Sequence, residues 1–450
     1  MRYKSNSSIA TAPMNNYLLT TDGRPVADVE RQLRKYLPGL DAGLWPTGRT
    51  QAVLRAPLLR AIETDYPHIG TGPLLAVLGV ARLDPVDDET SATLVALRDT
   101  SQLSGRVITP RTAGAAFDWH LVQSQVPAAW ALLGGPDAIA WGKVKVGQID
   151  TGYTEHPALG FPTGTWVDQA NARTFVPAPP AGEASVFANE PGNGRDTLEG
   201  LSGGHGTRIG ATICGYAPGA TGGAFFGVAP KVPLVPARIT DSVWINHRQR
   251  EFRDAVRHLI GPAQVGVINV SLGVFLSAVV DALRDAVNEA YDAGVIMVCA
   301  AGNIVNPVVA PARLSRTIAV GGVTQADVPW SGSSYGPETD FSSYADGIRR
   351  ATTRLGPTFE YSGGGDGTSY ATAITSGSAA LWLAHHGAAL DAAYPQPWQR
   401  VEAFRTVVRS CCRVPTVWNP GAFGEGIVDL AAVLQAPLPP AAGLLHQPVA

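Results

Sequence analysis

The sequence predicts an α/β fold, a doubly wound and mostly parallel sheet with helices on both faces, preceded by a small N-terminal α+β domain of ferredoxin-like order. Three observations predict it. Apolar runs rich in β-branched residues occur as VKVGQI (144–149), VPLVPARI (232–239), GVINVS (266–271), VIMVCA (295–300) and TIAVGG (317–322). They lack polar alternation, as strands covered on both faces must. Between the third and the fourth, SAVVDALRDAVNEAYDAG carries Val279, Leu283, Val287 and Ala290 at helical spacing and ends at Gly294, a crossover helix between two strands. The first 85 residues instead run NYLLTT, VADVERQLRKYL, LWP, QAVLRA, PLLRAIETDY and LLAVLGVARL, in the order β-α-β-β-α-β.

The 450 residues exceed one average domain. Residues 1–85 form the N-terminal domain, 86–117 a linker (DPVDDETS and PRTAGAA, with one helix at SATLVALR), 118–435 the main domain, and 436–450 a disordered Pro-rich tail. FVPAPPAGEASVFANEPGNG (175–194) reads as a long surface loop. Hydrophobic residues make up 45% and charged residues 16%, enough apolar side chain for a large core. A net charge of -3 without Lys/Arg runs supplies no basic field, which excludes nucleic acid as a partner. No run of eighteen apolar residues predicts a membrane span. MRYKSNSSIATAPMNNYLL lacks the apolar centre of a signal peptide, which favours a cytoplasmic location. Cys214, Cys299, Cys411 and Cys412 show no metal-ligand spacing. Adjacent Cys411 and Cys412 suit a mutual disulfide poorly, and Cys299 in VIMVCA reads as a small buried hydrophobe.

Three segments join a reactive side chain to glycines that let backbone approach a reacting group. In VGQIDTGYTEHPALG a strand ends in Asp150, placing a carboxylate at the carboxyl end of a sheet strand, although a turn or N-cap aspartate would read the same. In GGHGTRIGATICG, His205 opens a helix after two glycines, where a simple loop histidine would also fit. In GGGDGTSYATAITSGSAALWLA, Ser369 stands at the start of an apolar helix, either an ordinary N-cap or a nucleophile beside the positive helix end. The three together are far more specific than any one.

This order of Asp, His and Ser resembles the subtilisin-like serine proteases (subtilases, peptidase family S8). GVAPKVPLVPARI, NVSLG (269–273), AAGN (300–303), APAR before TIAVGGV, SSYGP (333–337) and GEGIVDLAAVL (424–434) extend the resemblance over roughly 119–434. It implies a subtilisin-like catalytic domain over 118–435 and a serine endopeptidase acting through an acyl-enzyme. Asp150, His205 and Ser369 form its triad, and Asn303 with the Ser369 backbone N–H holds the oxyanion. Ser271, Leu272 and Gly273 offer an edge beside which a peptide substrate lies extended. Ala300, Ala301 and Gly302 form the other wall of a roomy, apolar P1 pocket. The sequence departs from the family at Tyr370 and Ala373, where Met and Pro are usual, and at Arg208 and Gly210. Arg208 reads as a loop-tethering residue.

No cofactor is required for such chemistry. Relatives often bind structural calcium, but no Asp-rich loop of recognisable spacing occurs here, so metal ligands stay unassigned. A peptide cyclase or transpeptidase would use the same acyl-enzyme, and an inactive binding module would keep the fold, though such modules normally lose a triad or oxyanion residue and all four are present. The N-terminal domain resembles inhibitory propeptides that dock on the catalytic domain; a permanent accessory domain is the other reading.

Overall fold

The computed structural model describes residues 15–21, 25–36, 43–46, 51–56, 80–86 and 118–450, less 177–192, 199–201, 221–222, 241, 247, 275–278, 304–306 and 355–357. The chain divides into two compact units, with the main division after Ala113.

In the first unit, β1 (Asn15–Thr21) leads into a helix over Val26–Tyr36, then β2 (Gly43–Pro46), β3 (Gln51–Ala56) and β4 (Val80–Val86). The strands pair antiparallel in the order β2-β3-β1-β4. Leu19, Leu54 and Val80 of the sheet and Val26 and Val29 of the helix are buried, the helix positions being three apart and so on one face. The expected second helix at PLLRAIETDY and the 86–117 linker, beyond Val86, lie outside the described residues.

The second unit is built on a seven-stranded parallel sheet. Its strands are β5 (Val146–Asp150), β6 (Arg173–Thr174), β9 (Leu234–Arg238), β10 (Val267–Val270), β11 (Ile296–Ala300), β12 (Ile318–Val323) and β13 (Phe341–Tyr344), in the order β13-β12-β11-β10-β5-β9-β6. Two small antiparallel pairs accompany it, β7 (Tyr216–Ala217) with β8 (Phe225–Phe226) and β14 (Ile348–Arg354) with β15 (Thr358–Gly365). All five predicted strands are in the large sheet. The edge strands β6 and β13 escaped prediction because Arg-Thr and Phe-Ser-Ser-Tyr form no apolar run.

Alternate residues of a central strand serve opposite cores. In β11, Ile296 and Val298 face one cluster while Met297 and Cys299 face the other. Each such side chain contributes about 1.5–3 kcal/mol on burial. The helix Thr368–His386 is buried from Thr368 to Leu383, and at Gly377 only glycine fits: a Cβ there would lie 2.7 Å from Val228 Cβ. The crossover helix spans Asp281–Asp292, with Gly294 at φ 74° just beyond it.

From β5 the chain moves to β9 on one side and returns to β10 on the other, so the carboxyl ends of β5 and β10 flank a reversal of strand order. The tail is a correction. Residues 436–450 are laid down in order, with His446 edge-on to Trp398 and Tyr291 at 4.8 and 5.4 Å. Arg316 donates to the Gln447 and Pro448 carbonyls, and the Ala450 N–H donates to Asn288 Oδ1 at 3.0 Å. Proline removes helix but not the capacity to be strapped down by a neighbour's side chains.

Candidate active site

β5 ends in Asp150. Its Oδ1 accepts the Thr151 backbone N–H at 2.7 Å and lies 2.8 Å from His205 Nδ1. An acceptor at that place requires Nδ1 to carry the ring proton, which leaves the Nε2 lone pair available as a base. Asp150 is buried, and His205 keeps 11% of its side chain exposed.

The histidine helix, His205–Cys214, starts after Gly204 at φ 74°. Glycines set how near it comes to β5. A Cβ on Gly206 would lie 2.0 Å from the Gly152 carbonyl oxygen, and one on Gly210 would lie 2.8 Å from Gln148 Oε1 of β5. Thr151 Oγ1 accepts the Gly206 N–H at 3.0 Å, and Gln148 Nε2 donates to the Gly206 carbonyl at 2.7 Å. Arg208 Nη1 donates to the Gly203 carbonyl at 3.1 Å and so ties down the loop before His205.

A second carboxylate braces this pair. Asp196 Oδ2 accepts Thr151 Oγ1–H at 2.6 Å and the Gly204 N–H at 2.9 Å, while its Oδ1 accepts the Leu198 N–H at 2.7 Å. It therefore links the residue after Asp150 to the residue before His205. Burial pushes its pKa up, the nearby Asp150 adds to that, and the three hydrogen bonds oppose it. Nothing in Arg-Asp-Thr singled it out in the sequence.

Ser369 is the second residue of the helix Thr368–His386, entered through Gly367 at φ 143°. Asn303 Oδ1 accepts both the backbone N–H and the hydroxyl of Thr368, each at 2.8 Å. Those donors fix the amide's orientation and leave Nδ2 as its outward group. A Cβ on Gly367 would lie 3.3 Å from Asn303 Nδ2 and 3.8 Å from the Ser369 nitrogen. Two N–H donors thus border one small space that glycine keeps open, a geometry able to hold an oxyanion. The Ser369 hydroxyl donates to the Ser271 carbonyl at 3.4 Å, and among the described residues no hydrogen bond joins it to His205, a looseness common in substrate-free sites. Tyr370 is buried with its ring against Gly365.

Ser271, Leu272 and Gly273 follow β10, and Ala300, Ala301 and Gly302 close β11, so both expected walls stand at adjacent strand ends. Ser271 Oγ is engaged by Asn269 Nδ2 at 3.1 Å and the Ser369 carbonyl at 3.2 Å. One expectation is corrected: the edge is not free at Gly273. Its N–H donates to the Val243 carbonyl and its carbonyl accepts the Ile245 N–H, both at 3.0 Å, so the chain itself pairs there.

His156, in the loop after Asp150, is buried, accepts the Ala158 N–H on Nδ1 at 2.9 Å, and meets the rings of Phe359 and Tyr361. Burial lowers its pKa to about 4. Burial likewise raises the Cys214 and Cys299 thiols. Among the described residues, no group of three or more His, Cys, Asp or Glu side chains is placed to hold a metal ion, and no helix is long and apolar enough to cross a membrane.

Known proteins resemble this sequence. The profile of the Subtilase family matches residues 142–410. Subtilisin NAT of Bacillus subtilis subsp. natto is 29% identical over 298 residues, 65% of this chain and 66% of that protein, so the chain spans just under two thirds of it. Subtilisin of Bacillus pumilus is 29% identical over 298 residues, 65% of this chain and 91% of that protein. Among solved structures, MycP1 from Mycobacterium smegmatis has the same fold, with TM-score 0.54 and 22% identity over 74% of this chain and 88% of that one. A family match over more than half the chain, on a seven-stranded parallel sheet with Asp150 and His205 in contact at its switch point, means that this protein belongs to the subtilase family of serine proteases.

Proposed function

We propose that the chain is a serine endopeptidase in which Ser369 is the nucleophile, His205 the base, Asp150 its orienting acid, and Asn303 Nδ2 with the Ser369 N–H the oxyanion donors. One observation carries the reading: the Asp150–His205 pair and the two donors bordering Gly367 converge at the carboxyl ends of neighbouring strands.

Ser369 Oγ attacks a peptide carbonyl as its proton passes to His205 Nε2, and a C–O bond forms while the carbonyl π pair moves onto oxygen. Asp150 holds the imidazole in the tautomer that leaves Nε2 free and stabilises the cation that forms. The oxyanion accepts from Asn303 Nδ2 and the Ser369 N–H, and collapse expels the amine with the proton returned by His205. Water, deprotonated by the same imidazole, then cleaves the ester.

Labelling by a fluorophosphonate, with peptide products identified by mass, tests this. The wild type should be labelled and should release hydrolysed peptides, while Ser369→Ala should fold and do neither. Peptidase activity retained by Ser369→Ala would remove the assignment.

We propose that the N-terminal unit is a ferredoxin-like, propeptide-like domain that docks on the enzyme. The order β2-β3-β1-β4, with a helix after β1, supports the first part. Residues 118–450 that fold unaided, and whose activity 1–117 added in trans leaves unchanged, would refute the second.

A further inference from the structure

The expected P1 walls left the floor of the pocket unassigned, and one side chain occupies that place. A Cβ on Gly273 would lie 2.7 Å from Val309 Cγ2, and one on Gly302 would lie 2.9 Å from Val309 Cγ1 and 3.2 Å from its Cγ2. The two walls come from different strands, and both glycines meet the Cγ2 methyl of Val309. Val309 is therefore wedged between them, with only 5% of its surface exposed.

Its backbone holds it there from both sides. The Val309 N–H donates to the Ala301 carbonyl at 2.9 Å, on one wall, and the next carbonyl, that of Ala310, accepts the Val274 N–H at 2.7 Å, beside the other. A β-branched side chain is stiff at χ1, so it cannot fold aside as Met or Leu could. Forcing extra methylenes against such packing is unfavourable.

Resting on the peptidase reading above, we infer that Val309 is the floor of the P1 pocket and shortens it, so that this enzyme cleaves after small residues such as Ala or Ser and discriminates against Leu, Phe and Tyr. The roomy slot expected from the sequence followed from the small wall residues alone. Glycine walls widen a pocket only where nothing stands between them. The groups that meet Gly273 and Gly302 are the Val309 side chain, the Ala310 carbonyl and the Ser334 hydroxyl, none of them charged, so discrimination is by size.

The test uses the full chain and acyl-tetrapeptide p-nitroanilides that differ only at P1, as Ala, Leu or Phe. In the wild type, kcat/KM for Ala should exceed that for Phe by at least about tenfold, the scale of one or two misplaced methylenes in an apolar pocket. Val309→Gly should raise the Phe/Ala ratio by at least about tenfold, and Val309→Ala should fall between, which keeps the test available if the glycine variant folds poorly. A wild type that prefers Phe, or a ratio that moves in neither variant, overturns the assignment. Fluorophosphonate labelling separates the two claims. A labelled enzyme with an unmoved ratio overturns the pocket floor alone, whereas a wild type that stays unlabelled and inactive even after the folded chain is cut within 86–117 overturns the peptidase reading and this inference with it.

Discussion

Gly206 and Gly152 touch backbone to backbone, so that a Cβ on the first would lie 2.0 Å from the carbonyl oxygen of the second. Gly206→Ala must push the histidine helix off the end of β5 and lengthen the 2.8 Å contact between His205 and Asp150. A misplacement near 1 Å costs on the order of 100-fold in rate. Steady-state kinetics on a variant that still unfolds cooperatively should show that loss in kcat; full activity would mean the two segments are not locked together.

Asn303→Ala should lower kcat by about 100- to 1,000-fold with little change in KM, the range known for removing one such donor. It also frees the Thr368 N–H and hydroxyl that Asn303 Oδ1 accepts. Asn303→Asp retains an acceptor for them but offers no donor, so it should match alanine in kcat. An effect confined to KM would make Asn303 a substrate-binding group.

Asp196→Ala leaves three donors, on Thr151, Leu198 and Gly204, without their acceptor. Unsatisfied buried donors cost about 1–3 kcal/mol each, and with some relaxation the variant should lose about 3 kcal/mol of stability in denaturant titrations. Because Gly204 precedes His205 directly, kcat should also fall, by tenfold or more on the scale set by active-site misalignment. A variant that loses stability while keeping kcat would confine Asp196 to a structural role.

His156 gives the fold an acid sensitivity. With its pKa lowered to about 4 by burial, the neutral ring is the folded form. The stability it contributes is complete above the ordinary value near 6.5 and is lost as pH falls toward 4, about 2 kcal/mol between pH 7 and pH 4.5. His156→Gln should be less stable at pH 7 yet lose that much less on acidification. Parallel slopes for the two proteins in urea unfolding at both pH values would refute the assignment.

The residues proposed for catalysis stood out because each sits beside glycines at a strand end or helix start, a local signature. The strands β5, β9, β10, β11 and β12 were legible because apolar cover on two faces removes alternation. Asp196 was not: its meaning lies in Thr151 and Gly204, 45 residues before it and 8 after. Val309 was likewise opaque, since nothing in VVAPAR says that a methyl will stand between Gly273 and Gly302. The tail misled because its Pro-rich composition hides the partners, Tyr291, Trp398 and Arg316, that order it.

If substrate lies along Ser271, Leu272 and Gly273 as proposed, the pairing of Gly273 with Val243 and Ile245 makes the chain its own competitor. Any peptide that ladders onto Gly273 gains two backbone hydrogen bonds by ending two, an exchange with no net gain in their number. Its apparent affinity is the intrinsic one reduced by the fraction of molecules in which that segment stands open. Main-chain pairing alone then recruits peptides weakly, and residence in the groove is decided by what side chains can find in it. On the peptidase reading and the pocket floor proposed above, a folded protein that presents only backbone would be passed over, while one offering a small residue would be held.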